Sequence, residues 1–201
     1  MSDDDSLLAM GGELSTERLV LAYDWGIFPW DTIQLDGESY IAWFSPKERF
    51  VIFPKEIKIS DSMRRIRKQN KFEIRLNTNF EKVMRACAET ERPDQEGGTW
   101  ISEDVIEAYV KLHKKKRAMS VEVYENDELV GGLYGVISGK VFCGESMFSL
   151  KSNASKLALI WLAEEGGFEL IDCQFHTPHL EKMGGRFIGL DDYLKILGRE
   201  K

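Results

Sequence analysis

The chain predicts an α+β protein: a small N-terminal unit of short strands, then a core in the order β-β-β-α-β, built on an antiparallel meander. Three observations carry this. The strand-like runs "MSVEVY", "LVGGLYGVI" and "KVFCGESMF" are separated only by "ENDE" and by the turn Ser138-Gly139, connections short enough to make neighbours antiparallel. After them, "NASKLALIWLAEE" reads as an apolar helix that Gly166-Gly167 stops, and "FELIDCQF" reads as a strand. Near the N-terminus, "YDWGIFPW" and "AWFSPKERFVIFP" each break at a proline with Gly37 between them, which favours short strands and loops over long helices.

Taken in order, Ser15 caps a helix through Glu17, Leu19, Val20 and Ala22 that Gly26 ends, and the N-terminal unit spans residues 1–57. The core, 58–201, begins at Ser60 with a helix whose Met63 and Ile66 face inward. Arg64, Arg65, Lys68 and Lys71 gather on its surface as a basic patch. A second helix follows Ser102, with Glu103 and Asp104 at its positive end and Val105, Tyr109 and Leu112 along one stripe. Lys114 to Arg117 stand at its negative end.

Bulk properties narrow the function. Hydrophobic residues make up 43% and charged ones 30% of 201, which is a globular composition. No apolar run approaches the roughly 18 residues of a membrane-spanning helix. The acidic opening "MSDDDSLLAMGG" lacks the basic start of a secretory signal, so a cytoplasmic location is expected. Three cysteines, an odd and sparse set, predict reduced thiols. A net charge of -7 argues against broad nucleic-acid binding, DNA included, and leaves room only for a local contact. There is no phosphate-binding glycine loop, dinucleotide fingerprint or nucleophile elbow.

Alternation along the last strand puts Leu170, Asp172 and Gln174 on one face and Ile171, Cys173 and Phe175 on the other. An unpaired buried polar group costs about 1–3 kcal/mol, so the face with the acid and the amide is expected to line a cleft. The competing reading is that both side chains tie down a neighbouring loop. Glu145 interrupts a hydrophobic strand beside Gly144, whose missing side chain would let a ligand approach; it is either a cleft acid or an exposed edge residue. Cys173, His176 and His179 have metal-like spacing without an evident fourth ligand, so no metal is expected.

Eight ordered motifs, "LLAMGGELS", "YDWGIFPW", "WFSPKER", "GGTWI", "VGGLYGV", "VFCGESMFS", "NASKLAL" and "LIDCQFHTPHL", together resemble the leucyl/phenylalanyl-tRNA–protein transferases. The resemblance runs from about Leu7 to Leu194. It implies a core similar to the acyl-CoA N-acetyltransferases (GNAT-like), and transfer of Leu, Phe and less readily Met from aminoacyl-tRNA to proteins with N-terminal Arg or Lys, in the N-end rule pathway. The segment "SLKSNASK" has no glycine where the acetyltransferases cradle the CoA pyrophosphate, so no cofactor is expected. Residue by residue, the resemblance implies Asp172, Gln174 and Glu145 as catalytic and Trp30 and Trp100 near the tRNA adenosine, with Gly97 and Gly98 placing Trp100 after a flexible loop. Leu133, Phe142 and Leu162 would line the amino-acid pocket, and Arg64, Arg65 and Lys68 would meet the tRNA backbone. Two stretches depart from the family pattern: Asp61 stands where a base would extend the patch, and "RFIGLDDYL" replaces an arginine-containing motif. The competing functions are a related transferase that uses acyl-CoA or builds peptidoglycan bridges, and an adaptor that binds N-terminal degradation signals unmodified.

Overall fold

Positive backbone φ angles mark where the N-terminal segments reverse. The structure, a computed structural model, describes residues 6–90 and 99–199; the acidic residues 1–5 and the glycine pair ahead of Trp100 lie outside the described residues. Strands β1 (Leu7–Met10), β2 (Phe28–Leu35) and β3 (Glu38–Phe44) form an antiparallel sheet in the order β1-β3-β2. Asp36 and Gly37, at φ 52° and 82°, close the β2–β3 hairpin as a two-residue turn. Helix α1 (Thr16–Asp24) starts after Ser15 as expected, and the chain turns away at Gly26, φ 71°.

The second sheet holds β4 (Glu48–Ile52), β5 (Glu73–Leu76), β6 (Ala118–Glu125), β7 (Glu128–Ser138), β8 (Val141–Ser149), β9 (Leu170–Asp172) and β10 (Arg186–Gly189). Their order is β10-β4-β9-β8-β7-β6-β5. Strand β4 belongs to the chain before residue 57, yet it is an inner strand here. The expected meander is β6-β7-β8. Its first turn is Asn126-Asp127, both at positive φ, and its second is Gly139-Lys140, because Ser138 still pairs with Val141. Among the described strands only β8 and β9 pair in parallel, with α5 (Ala154–Glu165) as the crossover that parallel neighbours require.

Helices cover both faces. α1, α3 (Phe80–Glu89), α4 (Glu103–Lys114) and α7 (Leu190–Ile196) pack Leu19, Val83, Tyr109 and Tyr193 against Val136, Val141, Cys143 and Leu170. On the other face α2 (Asp61–Lys68), α5 and α6 (Pro178–Lys182) pack Met63, Leu162 and Leu180 against Leu133, Phe142 and Ile171. Ser60 and Ser102 cap α2 and α4, accepting the amides of Met63 and Val105 at 3.4 Å each. No described helix is long and apolar enough to cross a membrane.

The strand expected over "FELIDCQF" is shorter than predicted. The regular strand ends at Asp172: two more bonds reach Phe50 of β4, from the Cys173 amide at 2.8 Å and to the Gln174 carbonyl at 3.3 Å, but Gln174 adopts φ 63° and the Phe175 amide donates to the Cys173 carbonyl at 2.7 Å. This i to i+2 bond with positive φ is a γ-turn of the rarer hand. The turn breaks the alternation: Ile171 and Cys173 pack toward the α5 side, but Phe175 packs on the opposite side, against Phe28 and Trp30.

Candidate active site

The last β8–β9 pair is Cys143 with Asp172, and beyond it β8 runs on to Ser149 paired with β7 but no longer with β9. Of the side chains singled out from the sequence, Glu145 and Gln174 meet at this split. Between β7 and β8 the register skips one residue, with Gly135 opposite Gly144 and Tyr134 opposite Ser146. Glu145 is therefore the extra residue of a β-bulge, a device that re-aims a side chain next to a site. Gly135 makes the bulge possible, since a Cβ there would stand 2.2 Å from the Cys143 carbonyl oxygen.

Glu145 and Gln174 meet across the split, Gln174 Nε2 donating to Glu145 Oε1 at 3.1 Å. Tyr109 donates to Glu145 Oε2 at 3.2 Å, and its hydroxyl lies 2.5 Å from that of Tyr23. Among the described residues no donor pairs with Gln174 Oε1. Burial pushes the Glu145 carboxyl up to about 8; hydrogen bonds from Tyr23, Tyr109 and Gln174 pull it down, and the Asp172 charge adds to the rise. Burial, then the Glu145 charge, holds the phenols of Tyr23 and Tyr109 above their ordinary range.

Asp172 does not face the cleft expected of it. It is 0% exposed and Gln174 1%, and the acid is satisfied by protein groups alone. Its Oδ1 accepts the Gln174 amide at 2.8 Å and Arg49 Nε at 3.3 Å; its Oδ2 accepts the Tyr193 hydroxyl at 2.8 Å and pairs with Arg49 Nη2. Arg49 lies on β4 and Tyr193 on α7. Burial opposes the Arg49 charge, but the adjacent Asp172 carboxylate outweighs it and raises the guanidinium's pKa. Cys143, beside Tyr193, is held as a thiol by burial and the Asp172 charge.

The aromatic residues gather next to the turn. Trp30 is itself the extra residue of a bulge between β2 and β3, lies 4.5 Å from Phe175 between ring centroids, and stacks on Trp100 at 6.4 Å and 22°. Leu133, Phe142 and Leu162 are buried together in the cluster under α5, on the sheet face opposite Cys143. Arg64, Arg65 and Lys68 are exposed on α2; Arg64 Nε stands 3.8 Å from Asp61, and their neighbour Arg67 is tied to Glu164 of α5. Gly144 is less open than expected, since a Cβ would make ordinary contact, 3.4 Å, with the Asp172 carbonyl oxygen. His176 pairs with Glu181 at 3.0 Å, and no described group of three His, Cys, Asp or Glu could hold a metal ion.

Arg49, Tyr23 and Tyr193 are not among the residues that the sequence singles out, and Tyr109 stands there only as part of an apolar stripe. Arg49 had a signal, a lone cation opening the apolar run "RFVIF"; the tyrosines sit on core stripes where a ring needs no further explanation.

Where β9 parts from β8, a buried carboxyl meets a buried amide beside a cluster of aromatic rings, on an α+β scaffold. Residues 51–198 match the model of the leucyl/phenylalanyl-tRNA protein transferase family and residues 12–47 that of its N-terminal domain. Transferases of that name from Flavobacterium psychrophilum and Syntrophobacter fumaroxidans are each 48% identical, over 98% of this chain and 92% and 83% of theirs. A conserved protein of unknown function from Bacteroides thetaiotaomicron shares the fold alone, with a TM-score of 0.50 and 11% identity over 68% of this chain and 53% of its own. The chain belongs to the leucyl/phenylalanyl-tRNA–protein transferase family, and it is a transferase.

Proposed function

We propose that the protein moves leucine or phenylalanine, and methionine less readily, from aminoacyl-tRNA to the N-terminal α-amine of proteins beginning with Arg or Lys, marking them in the cytoplasm for N-end rule degradation. Family membership supports the transferase class. The observation that carries the reading is the Gln174 amide, turned into the split by its positive φ, with Nε2 held by Glu145 and Oε1 left to accept.

The donor ester is already activated, so the site has to orient and stabilise. The α-amine attacks the ester carbonyl carbon; the N–C bond forms, the bond to the ribose oxygen breaks, the amine loses a proton and the ribose oxygen gains one. An α-amine titrates near about 7.7–8.0, so enough of it is free at neutral pH without a strong base. Gln174 Oε1 accepts an amine N–H and aims the lone pair. Glu145, with a pKa pushed up to about 8, becomes a carboxylate when a cation arrives, which fits it to an Arg or Lys side chain or an α-ammonium. Asp172 acts one step back, by holding Gln174.

Trp30 and Trp100 supply faces on which the terminal adenine stacks, for about 1–3 kcal/mol. Leu133, Phe142 and Leu162 line the pocket for the transferred side chain; a plain apolar pocket resolves one methylene by only about 1–3 kcal/mol, hence a graded preference. Arg64, Arg65 and Lys68 meet the tRNA backbone.

The test is transfer of label from Leu-tRNA to peptides beginning with Arg, acetyl-Arg or Ala. Label should enter only the free Arg peptide; Gln174→Ala should depress the rate while the fold is kept, and Asp172→Ala, which strands the buried Arg49 charge, should depress both the rate and the thermal midpoint. No transfer with the tRNA intact overturns the reading, and wild-type rates in both variants remove those residues from the mechanism.

A further inference from the structure

We propose that Arg49 and Tyr193 are positioning residues for the transfer, and that with them Asp172 serves as the anchor of the Gln174 turn and not as a proton acceptor; this rests on the transferase reading above. A carboxylate offers about four lone-pair directions. All are taken here, two by Arg49 and one each by the Gln174 amide and the Tyr193 hydroxyl, and the group has no exposed surface. No direction is left for the proton of an incoming amine.

What the acid does instead follows from the backbone. Asp172 Oδ1 accepts the amide two residues on, the Asx-turn bond, and Gln174 sits at φ 63°, a conformation a non-glycine residue keeps only when its surroundings impose it. Released, Gln174 relaxes toward extended geometry and its amide leaves Glu145. The anchor is fixed in turn. Arg49 Nη1 donates to the Gly26 carbonyl at 2.9 Å, and its guanidinium carbon lies 4.6 Å from the ring centres of both Phe28 and Tyr193. Phe28 packs on Phe175 and Trp30, so one arginine joins the end of α1, the aromatic platform, the turn and α7. Gly26 allows the approach: at its φ of 71°, a Cβ would stand 3.0 Å from Tyr193 Cε1.

The test compares wild type, Tyr193→Phe and Arg49→Lys for kcat, for KM toward Leu-tRNA and an Arg-peptide, for the pH profile of kcat and for thermal midpoint. Tyr193→Phe keeps the ring and folds, with a thermal midpoint lowered by several degrees for the one bond lost from the buried carboxylate. Its kcat should fall about tenfold, and that of Arg49→Lys, which keeps the charge but loses the fork, about a hundredfold, with both KM values and the acid limb of the profile in place. Wild-type kcat in both variants, a loss confined to KM, or an acid limb displaced in Arg49→Lys each overturns the proposal. If Arg49→Lys does not fold, Tyr193→Phe decides alone. A wild type that transfers nothing defeats the transferase reading and this inference together; a transferring wild type matched by its variants defeats the inference only.

Discussion

Glu145 is the residue at which stability and chemistry conflict most. Buried and pushed up to about 8 from an ordinary 4.5, its carboxyl keeps its proton in the folded state across a pH window where the unfolded chain has released it. The folded state then binds more protons, so stability falls as pH rises from 4.5 to 8, and the loss is complete above 8. Glu145→Gln removes the titration while its carbonyl oxygen can still accept from Gln174. Without substrates it should match wild type near pH 5 and exceed it at pH 8 by an amount on the order of a few kcal/mol, with transfer depressed because no carboxylate can form. Urea unfolding at the two pH values decides this: an equal difference between the proteins at both would refute the assigned titration. That Glu145 is out of keeping with its strand was legible in the sequence, where it interrupts the apolar run "VFCGESMF"; of the two readings, cleft acid or exposed edge residue, its burial is against the second. Its aim was not legible, because a bulge is a two-against-one count that exists only once the partner strand is known.

At the scale of elements, what could be read was what depends on local period. The meander, α2, α4 and α5 follow from alternation, capping serines and apolar stripes, and all are present. α3 carried such a signal in Phe80, Val83, Met84 and Cys87, all buried, but β5 and β10 are four residues each and α7 is covered by a tertiary pairing of Tyr193. Strand β9 is shorter than alternation predicts because periodicity cannot register a turn whose acid, Asp172, is held by Arg49 from 123 residues back in the chain. The exposed face of α2 supports a prediction at this level. If Arg64 and Lys68 meet tRNA phosphates, changing both to Gln should raise KM for Leu-tRNA and flatten the slope of log affinity against log salt by about 1 per charge, while peptide KM is unchanged. A slope equal to wild type would show that this face is only solvated.

Across the whole molecule, the described part of the N-terminal unit shares its core with the second sheet. Leu19, Tyr23, Phe28 and Trp43 share one cluster with Val136, Val141 and Leu170 of the second sheet, and β4 is hydrogen-bonded between β9 and β10. The Asp24 carboxylate ties the same region together from outside, taking Arg117 at 2.6 Å, Ser138 at 2.7 Å and Arg199 at 3.2 Å. A unit that buries its apolar face against its neighbour cannot unfold separately without stripping that neighbour. Thermal unfolding should therefore be a single transition, with tryptophan fluorescence and far-UV circular dichroism superimposed; three of the five tryptophans, Trp25, Trp30 and Trp43, lie in the first 57 residues and would report early release of that unit. Residues 1–57 made alone should not fold. A fluorescence transition that precedes the loss of helix would instead mark two separable domains. The same coupling bears on activity, because Tyr23 and Arg49 come from before residue 57, Glu145 and Gln174 from the sheet split, and Tyr193 from the last helix. Transfer should thus be lost along the same melting curve as the fold, since no part of the chain holds a complete site by itself.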